Sequence, residues 1–306
     1  MNTLAIHSGA LGDVVLFGHL LRAVGGEATL LAGGEKARLL AGLGVASRAL
    51  DFDALPMHEA FAEIPEDRCR LSTLVGEHGR LVSCFGTDDL AAQSRLARIS
   101  GATQSAFLRI RPTANADAHL VQLWCETLSL NFKPQPLAWQ VPPAWLSGGD
   151  ALRPRDSARQ PYAVIHPGSG GRAKCWPLDR FIELARQIRS RLSLQPCFVI
   201  GPVELDQWGP APARELANEF HLLQAPPLAM LAGLLAGASL YVGNDSGVAH
   251  LAAAVGTPTL AIFGPNSSPR HFAPLGRRVA CVHQPSLDNV TVAQVLHASE
   301  QIRNGE

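Results

Sequence analysis

The sequence predicts an α/β protein built from two open, parallel-sheet domains, and three observations carry that prediction. Short apolar runs alternate with helical patterns along nearly all of the 306 residues, as strands and crossover helices do in a parallel sheet covered on both faces. The length exceeds one typical domain and suits two of about 150 residues each. Between Lys133 and Pro161 the alternation lapses into a segment rich in proline and glycine, which reads as an interdomain linker. The expected boundary lies near 150–160, giving domains of 1–150 and 151–306.

Composition narrows the function classes. Lys plus Arg and Asp plus Glu number 26 each, so no global field recruits nucleic acid or an anionic membrane, and any basic site is local. The six cysteines are scattered without a CxxC pair, against a zinc site or a disulfide framework. The N-terminus enters an apolar run without a basic region or cleavage site, so no signal peptide is expected. No uncharged apolar run approaches the roughly 20 residues that span a bilayer. A cytoplasmic protein, expected to be a monomer, follows.

The first element is a strand over residues 3–7, followed by Ser8-Gly9-Ala10-Leu11-Gly12-Asp13 and a helical pattern over 14–24. The loop has the spacing GxxGD and lacks the GxGxxG fingerprint of dinucleotide sites, which argues against a nicotinamide cofactor. Asp13 reads plainly as a first-turn acid, stabilised by the helix dipole by up to about 1 kcal/mol. It also stands outside a strand's carboxyl end, where a general base belongs. Further strands over 28–32, 80–84 and 105–108 alternate with helices near 35–43, 88–98 and 117–130. The basic residues of this half, Arg68, Arg70, Arg80, Arg95, Arg98, Arg109 and Arg111, read mostly as solvated or snorkelling side chains.

The second series begins with a strand over 162–165 that runs into the loop HPGSGGRAKCWP, residues 166–177. Pro177 suits the first turn of a helix over 178–191. The loop offers backbone N–H groups with Arg172 and Lys174, a combination that suits a diphosphate, while the GxxxxGK[ST] spacing of a P-loop is absent. A strand over 197–200 ends at Gly201-Pro202-Val203-Glu204, which puts Glu204 where a carboxylate takes a ribose diol or is a plain loop acid. The strand over 238–242 ends at Gly243-Asn244-Asp245-Ser246-Gly247, and a small-residue helix follows to Val255. Asp245 is expected as the N-cap, with Ser246 and Gly247 in a first turn whose N–H groups and dipole bind phosphate. Gly256-Thr257-Pro258 then turns the chain into a strand over 259–263, which ends at Gly264-Pro265-Asn266-Ser267. In open parallel sheets, ligands bind outside such carboxyl ends.

Taken together, SGALGDVV, HPGSGGRAKCWP, GPVE and YVGNDSGVAHLAAAVGTPTLAIFGP resemble the motifs of glycosyltransferase family 9, the ADP-heptose:lipopolysaccharide heptosyltransferases, in the family's order. The resemblance implies a GT-B fold: two Rossmann-like domains facing across a cleft, with the donor on the C-terminal one and the acceptor on the N-terminal one. It further implies that the final helical segment, about 290–302, returns to brace the first domain. On the matching positions it makes Asp13 the catalytic base, Lys174 the donor-phosphate lysine and Glu204 the ribose acid. Asp245, Ser246, Gly247 and His250 become the diphosphate loop, with Ser169, Gly170 and Arg172 beside it; His250 also reads as a buried core histidine. Where many members carry an arginine before the first loop, this chain has His7.

The implied reaction is inverting transfer of a sugar, heptose from ADP-heptose, to a lipopolysaccharide core acceptor at the cytoplasmic face of the inner membrane. One carboxylate and one cationic pocket suffice for it, so neither metal nor cofactor is expected, and Lys174, Arg172 and the helix start replace a metal. Two alternatives stand beside this reading. One is a non-catalytic nucleotide-sugar-binding or assembly protein on the same scaffold, which loss of Asp13 or Lys174 would favour. The other is a transferase acting on a different acceptor, such as a protein. A GT-B epimerase would need further carboxylates and histidines that the sequence does not place.

Overall fold

The computed structural model describes all residues except 66–67, 114, 133–137, 155–159 and 306. The chain divides into two compact units, 1–133 and 134–306, and each is built on its own parallel sheet.

In the first unit the chain alternates strand and helix in order: β1 (Thr3–Ile6), α1 (Leu11–Val24), β2 (Ala28–Ala32), α2 (Lys36–Gly42) and β3 (Arg48–Asp51) come first. They are followed by α3 (Arg70–Val75), β4 (Arg80–Ser83), α4 (Leu90–Ile99), β5 (Gln104–Phe107) and α5 (Leu120–Thr127). The strand order is β3-β2-β1-β4-β5, every pairing parallel. Such a sheet must bury both faces, and β1 and β2 are buried at every position. The chain winds outward from β1 to β3 and then returns to lay β4 on the other side of β1. The strand order therefore reverses between β1 and β4, and the glycine loop that leads to Asp13 leaves β1 at that point.

The second unit comprises α6 (Pro143–Asp150), β6 (Tyr162–His166), α7 (Leu178–Leu192), β7 (Gln195–Ile200), α8 (Pro202–Trp208), α9 (Pro210–Glu219), β8 (His221–Gln224) and α10 (Leu228–Ala236). It continues with β9 (Leu240–Asn244), α11 (Gly247–Ala254), β10 (Thr259–Phe263), α12 (Pro269–Phe272), β11 (Val279–His283) and α13 (Val292–Asn304). Its sheet runs β11-β10-β9-β6-β7-β8, again all parallel. Here the order reverses between β6 and β9, which pair with His166 opposite Gly243. The two glycine-rich loops singled out in this half leave those two adjacent strands. α7 shows why its sequence folds as a covering helix: Phe181, Ile182, Leu184, Ala185, Ile188 and Leu192 fall on one face, and that face is buried. α11 is Ala-rich and buried from Ala249 to Ala254, because small side chains let it lie close against β9 and β10.

The division of the chain differs from the expected boundary near 150–160. The described part of the proline-rich stretch belongs to the second unit rather than to a linker, and the division falls at 133/134. Residues 133–137 and 155–159 of that stretch lie outside the described residues. Within it, α6 packs on α10 at a contact where Gly149 and Gly233 leave no room for a Cβ: one on Gly149 would strike the backbone of Gly233 and Leu234. Trp139 is buried and its backbone N–H donates to Ala254 O at 2.8 Å. α13 belongs to the second unit, and its Val295, Leu296 and Ile302 are part of that unit's hydrophobic core.

Candidate functional site

Asn244, the last residue of β9, fastens the loops after β6 and β9 together. Its side chain is fully buried. Oδ1 accepts the Trp176 backbone N–H at 2.9 Å, while Nδ2 donates to the carbonyls of Pro167 at 2.8 Å and Gly168 at 3.3 Å. A buried amide with its donors and acceptor engaged fixes geometry firmly, since every alternative leaves a polar group unpaired. The far end of the loop is pinned by the Trp176 indole, buried edge-on to Phe181 at 4.9 Å between centroids and donating from Nε1 to Val290 O at 3.0 Å.

Within this frame the charged residues converge. Lys174 Nζ lies 2.9 Å from Asp245 Oδ2, and the Ser169 hydroxyl donates to the Asp245 carbonyl at 2.7 Å. The N-cap of α11 is Ser246, whose Oγ accepts the Ala249 N–H at 3.4 Å; the expectation that Asp245 caps the helix was one residue early. The shift has a physical reason, because Asp245 spends its carboxylate on Lys174 and the hydroxyl of Ser246 takes over the cap. The opening N–H groups of α11 lie outside the intrahelical ladder, with the positive end of the helix dipole behind them. His250, one turn along and buried, holds Nε2 3.9 Å from Asp245 Oδ1, a pair that is ionic only when the imidazole is protonated. Gly247 is half-buried at the start of α11, Gly170 is exposed in the loop, and Arg172 is exposed on the 3-10 turn that carries Lys174. Ser169, Lys174, Asp245, Ser246, Gly247 and His250 are thus brought together.

Glu204 is placed differently from a side chain at a site's mouth. It is buried in the first turn of α8, where Oε2 accepts the Gly201 N–H at 2.7 Å. Its carboxylate fills the space beside Gly168, where a Cβ would collide with it. Glu204 therefore links the loop after β7 to the loop after β6. His166 lies at the base of the same loops; burial pushes its pKa down, partly offset by the Glu204 charge.

In the first unit, Asp13 occupies the first turn of α1. Oδ2 accepts the Ala10 N–H at 3.3 Å and Oδ1 accepts from Arg111 Nη1 at 3.0 Å. Lys36 Nζ donates to the Gly9 carbonyl at 2.8 Å. His7 is buried beneath this loop, with its ring 5.1 Å from that of Phe17 and 6.2 Å from that of Trp124. Nδ1 accepts the Gly9 N–H at 3.0 Å, which assigns the imidazole proton to Nε2. Burial depresses its pKa to about 4 against the opposing pull of Asp13, and Lys36 and Arg111 push the same way as burial. Sequence reasoning named Arg111 only within a scatter of arginines; its pairing with Asp13 spans 98 positions and leaves no local signal.

Among the described residues there is no cluster of three or more His, Cys, Asp or Glu placed to hold a metal ion. No helix among them is long and apolar enough to cross a membrane.

Two doubly wound units, with glycine loops at the points where strand order reverses, define the Rossmann-like pair of the GT-B fold. The sequence model of glycosyltransferase family 9 (heptosyltransferase) matches residues 91–295. The chain belongs to that family. Lipopolysaccharide heptosyltransferase 2 of Salmonella typhimurium is 32% identical over 165 residues, which cover 49% of this chain and 44% of that protein. The chain thus matches less than half the length of that curated relative. Among solved structures, a family 9 glycosyl transferase from Veillonella parvula aligns with a TM-score of 0.77 at 16% identity, covering 100% of this chain and 97% of that one. The E. coli heptosyltransferase WaaC with ADP aligns at 0.70 and 18% identity, covering 99% and 100%. At these identities the two structures establish the fold.

Proposed function

We propose that this protein is an inverting glycosyltransferase that moves a sugar from a nucleotide-diphosphate donor, heptose from ADP-heptose, to a lipopolysaccharide core acceptor. The observation that carries the reading is the convergence of Lys174, Asp245 and the N-terminus of α11 at the strand reversal of the second unit. A helix start backed by an ammonium group is a site for a diphosphate. The choice of ADP-heptose and of a core acceptor is supported by membership of the family and by relatives described as lipopolysaccharide heptosyltransferases.

The chemistry follows from residue types. The Asp13 carboxylate takes the proton of the acceptor hydroxyl as that oxygen attacks the anomeric carbon. The bond from that carbon to the diphosphate breaks, and configuration inverts. Each Asp13 oxygen accepts one hydrogen bond and retains a further lone pair for the proton. Arg111 and the Ala10 N–H hold the carboxylate in one orientation, which suits a base that works through position. Charge developing on the leaving diphosphate falls to Lys174, Arg172 and the α11 N–H groups, which need no reorganisation at the moment of bond breaking. Ser169, Gly170, Gly247 and His250 complete the donor loop, and Glu204 shapes it from behind Gly168. No resident cofactor or metal takes part in this scheme.

A thermal-shift screen against ADP-, UDP- and GDP-sugars tests the reading, because a ligand bound to the native state alone raises its stability by mass action. Stabilisation by ADP-heptose above the others is expected. Stabilisation by none of them would overturn it.

A further inference from the structure

The first loop rests on a histidine that direct transfer chemistry does not require. His7 is fully buried against the rings of Phe17 and Trp124. Among the described residues its Nε2 has no hydrogen-bond partner, although it carries the proton once Nδ1 is committed to the Gly9 N–H. A leucine would fill comparable room without burying an orphan donor. What the imidazole supplies that an apolar side chain cannot is one acceptor, aimed at the second residue of the loop that ends in Asp13. The fit is close: a Cβ on Gly9 would press on the His7 ring, so the glycine is what allows the contact. On its other side the Gly9 peptide is held through its carbonyl by Lys36. The peptide is therefore clamped at both its N–H and its carbonyl, and only three residues separate it from Asp13.

We infer that His7 is a positioning residue for Asp13: through Nδ1 it fixes the Gly9 peptide and hence the turn that presents the Asp13 carboxylate. The inference rests on the reading of Asp13 as the base, and it adds a determinant specific to this chain. His7 has no role in binding the donor, so its loss is expected in turnover and not in donor affinity.

Conservative variants separate the acceptor from the bulk. In His7→Asn the side-chain oxygen sits at the δ position and can still accept the Gly9 N–H. In His7→Leu that acceptor is gone, and in His7→Gln the oxygen moves to the ε position. Each full-length variant is assayed with ADP-heptose and a heptose-deficient lipopolysaccharide core acceptor, and amide hydrogen exchange is followed over residues 8–13. His7→Leu is expected to exchange faster at Gly9 and to lose about 10- to 100-fold in kcat, with donor KM unchanged. His7→Asn is expected to restore most of both. If His7→Leu does not fold, His7→Gln takes its place with the same expectation. Unchanged exchange at Gly9 in the acceptor-less variants, or equal losses in Asn and Leu, would overturn the inference. Asp13→Asn serves as the control: if it keeps full kcat, the base reading fails, whereas the exchange measurement judges the His7 clamp independently.

Discussion

The ammonium of Lys174 lies 2.9 Å from Asp245 Oδ2, joining the loops of two adjacent strands whose residues stand 71 positions apart. Lysine has three N–H donors, so it can keep Asp245 and still reach an incoming phosphate. In the proposed function, Asp245 aims the lysine, and the phosphate contacts fall to Lys174 and to the N–H groups behind Ser246.

That division of labour predicts a particular pattern. Lys174→Ala removes a charge-assisted hydrogen bond worth about 1.5–3 kcal/mol, roughly a 10- to 100-fold loss in ADP affinity. It also leaves the Asp245 carboxylate facing the diphosphate without its counter-ion. The double variant Lys174→Ala/Asp245→Asn should therefore bind ADP better than Lys174→Ala alone. Calorimetric titration with ADP measures both, and a double variant weaker than the single one would show that Asp245 contacts the ligand favourably.

Asp13→Asn keeps the size of the side chain and the partner of the Ala10 N–H but cannot take a proton. It should lower kcat by about 10²- to 10⁴-fold while leaving ADP affinity within a factor of a few. Steady-state rates paired with ADP titration separate the two effects. Near-normal kcat would return Asp13 to the role of a first-turn acid.

Much of this arrangement was legible in the sequence, because it follows local rules. Apolar runs located β1, β2, β6 and β10 closely, and glycine loops at strand ends marked the positions that Lys174 and Ser246 occupy. Contacts between distant positions were not legible. Nothing near Asp245 announces Lys174, so the acid looked like a helix cap; nothing near Asp13 announces Arg111. Proline density between 133 and 161 suggested a linker, but Gly149 and Gly233 allow α6 and α10 to touch backbone to backbone, a contact set by pairing and not by composition. Short or half-exposed elements such as β3 and β11 were also unread, since their burial pattern is weak.

Acid stability follows from the buried histidines. The pKa of His7 is held to about 4, against 6.5 unfolded, and burial also lowers His166 and His78. Below about pH 6.5 the unfolded chain binds protons that the native chain refuses, so stability falls as pH drops towards 4, at about 1.4 kcal/mol per pH unit for a single such group. Urea unfolding at pH 7.5 and pH 5 should show the loss, and His7→Asn should make it shallower. A midpoint independent of pH in that range would contradict the burial of a neutral His7.

Transfer should persist in EDTA, because the positive charge facing the diphosphate in this account comes from Lys174, Arg172 and the helix start. Activity abolished by EDTA and restored by Mg²⁺ would assign that charge to a metal.

In the proposed function the second unit holds the diphosphate at the strand reversal between β6 and β9, and a crystal structure of the chain with ADP is the decisive measurement. Phosphate oxygens are expected within hydrogen-bond reach of Lys174 Nζ and the backbone N–H groups of 246–248; a diphosphate lodged against the Ser8–Gly12 loop, with residues 168–174 and 245–247 empty, would overturn that placement.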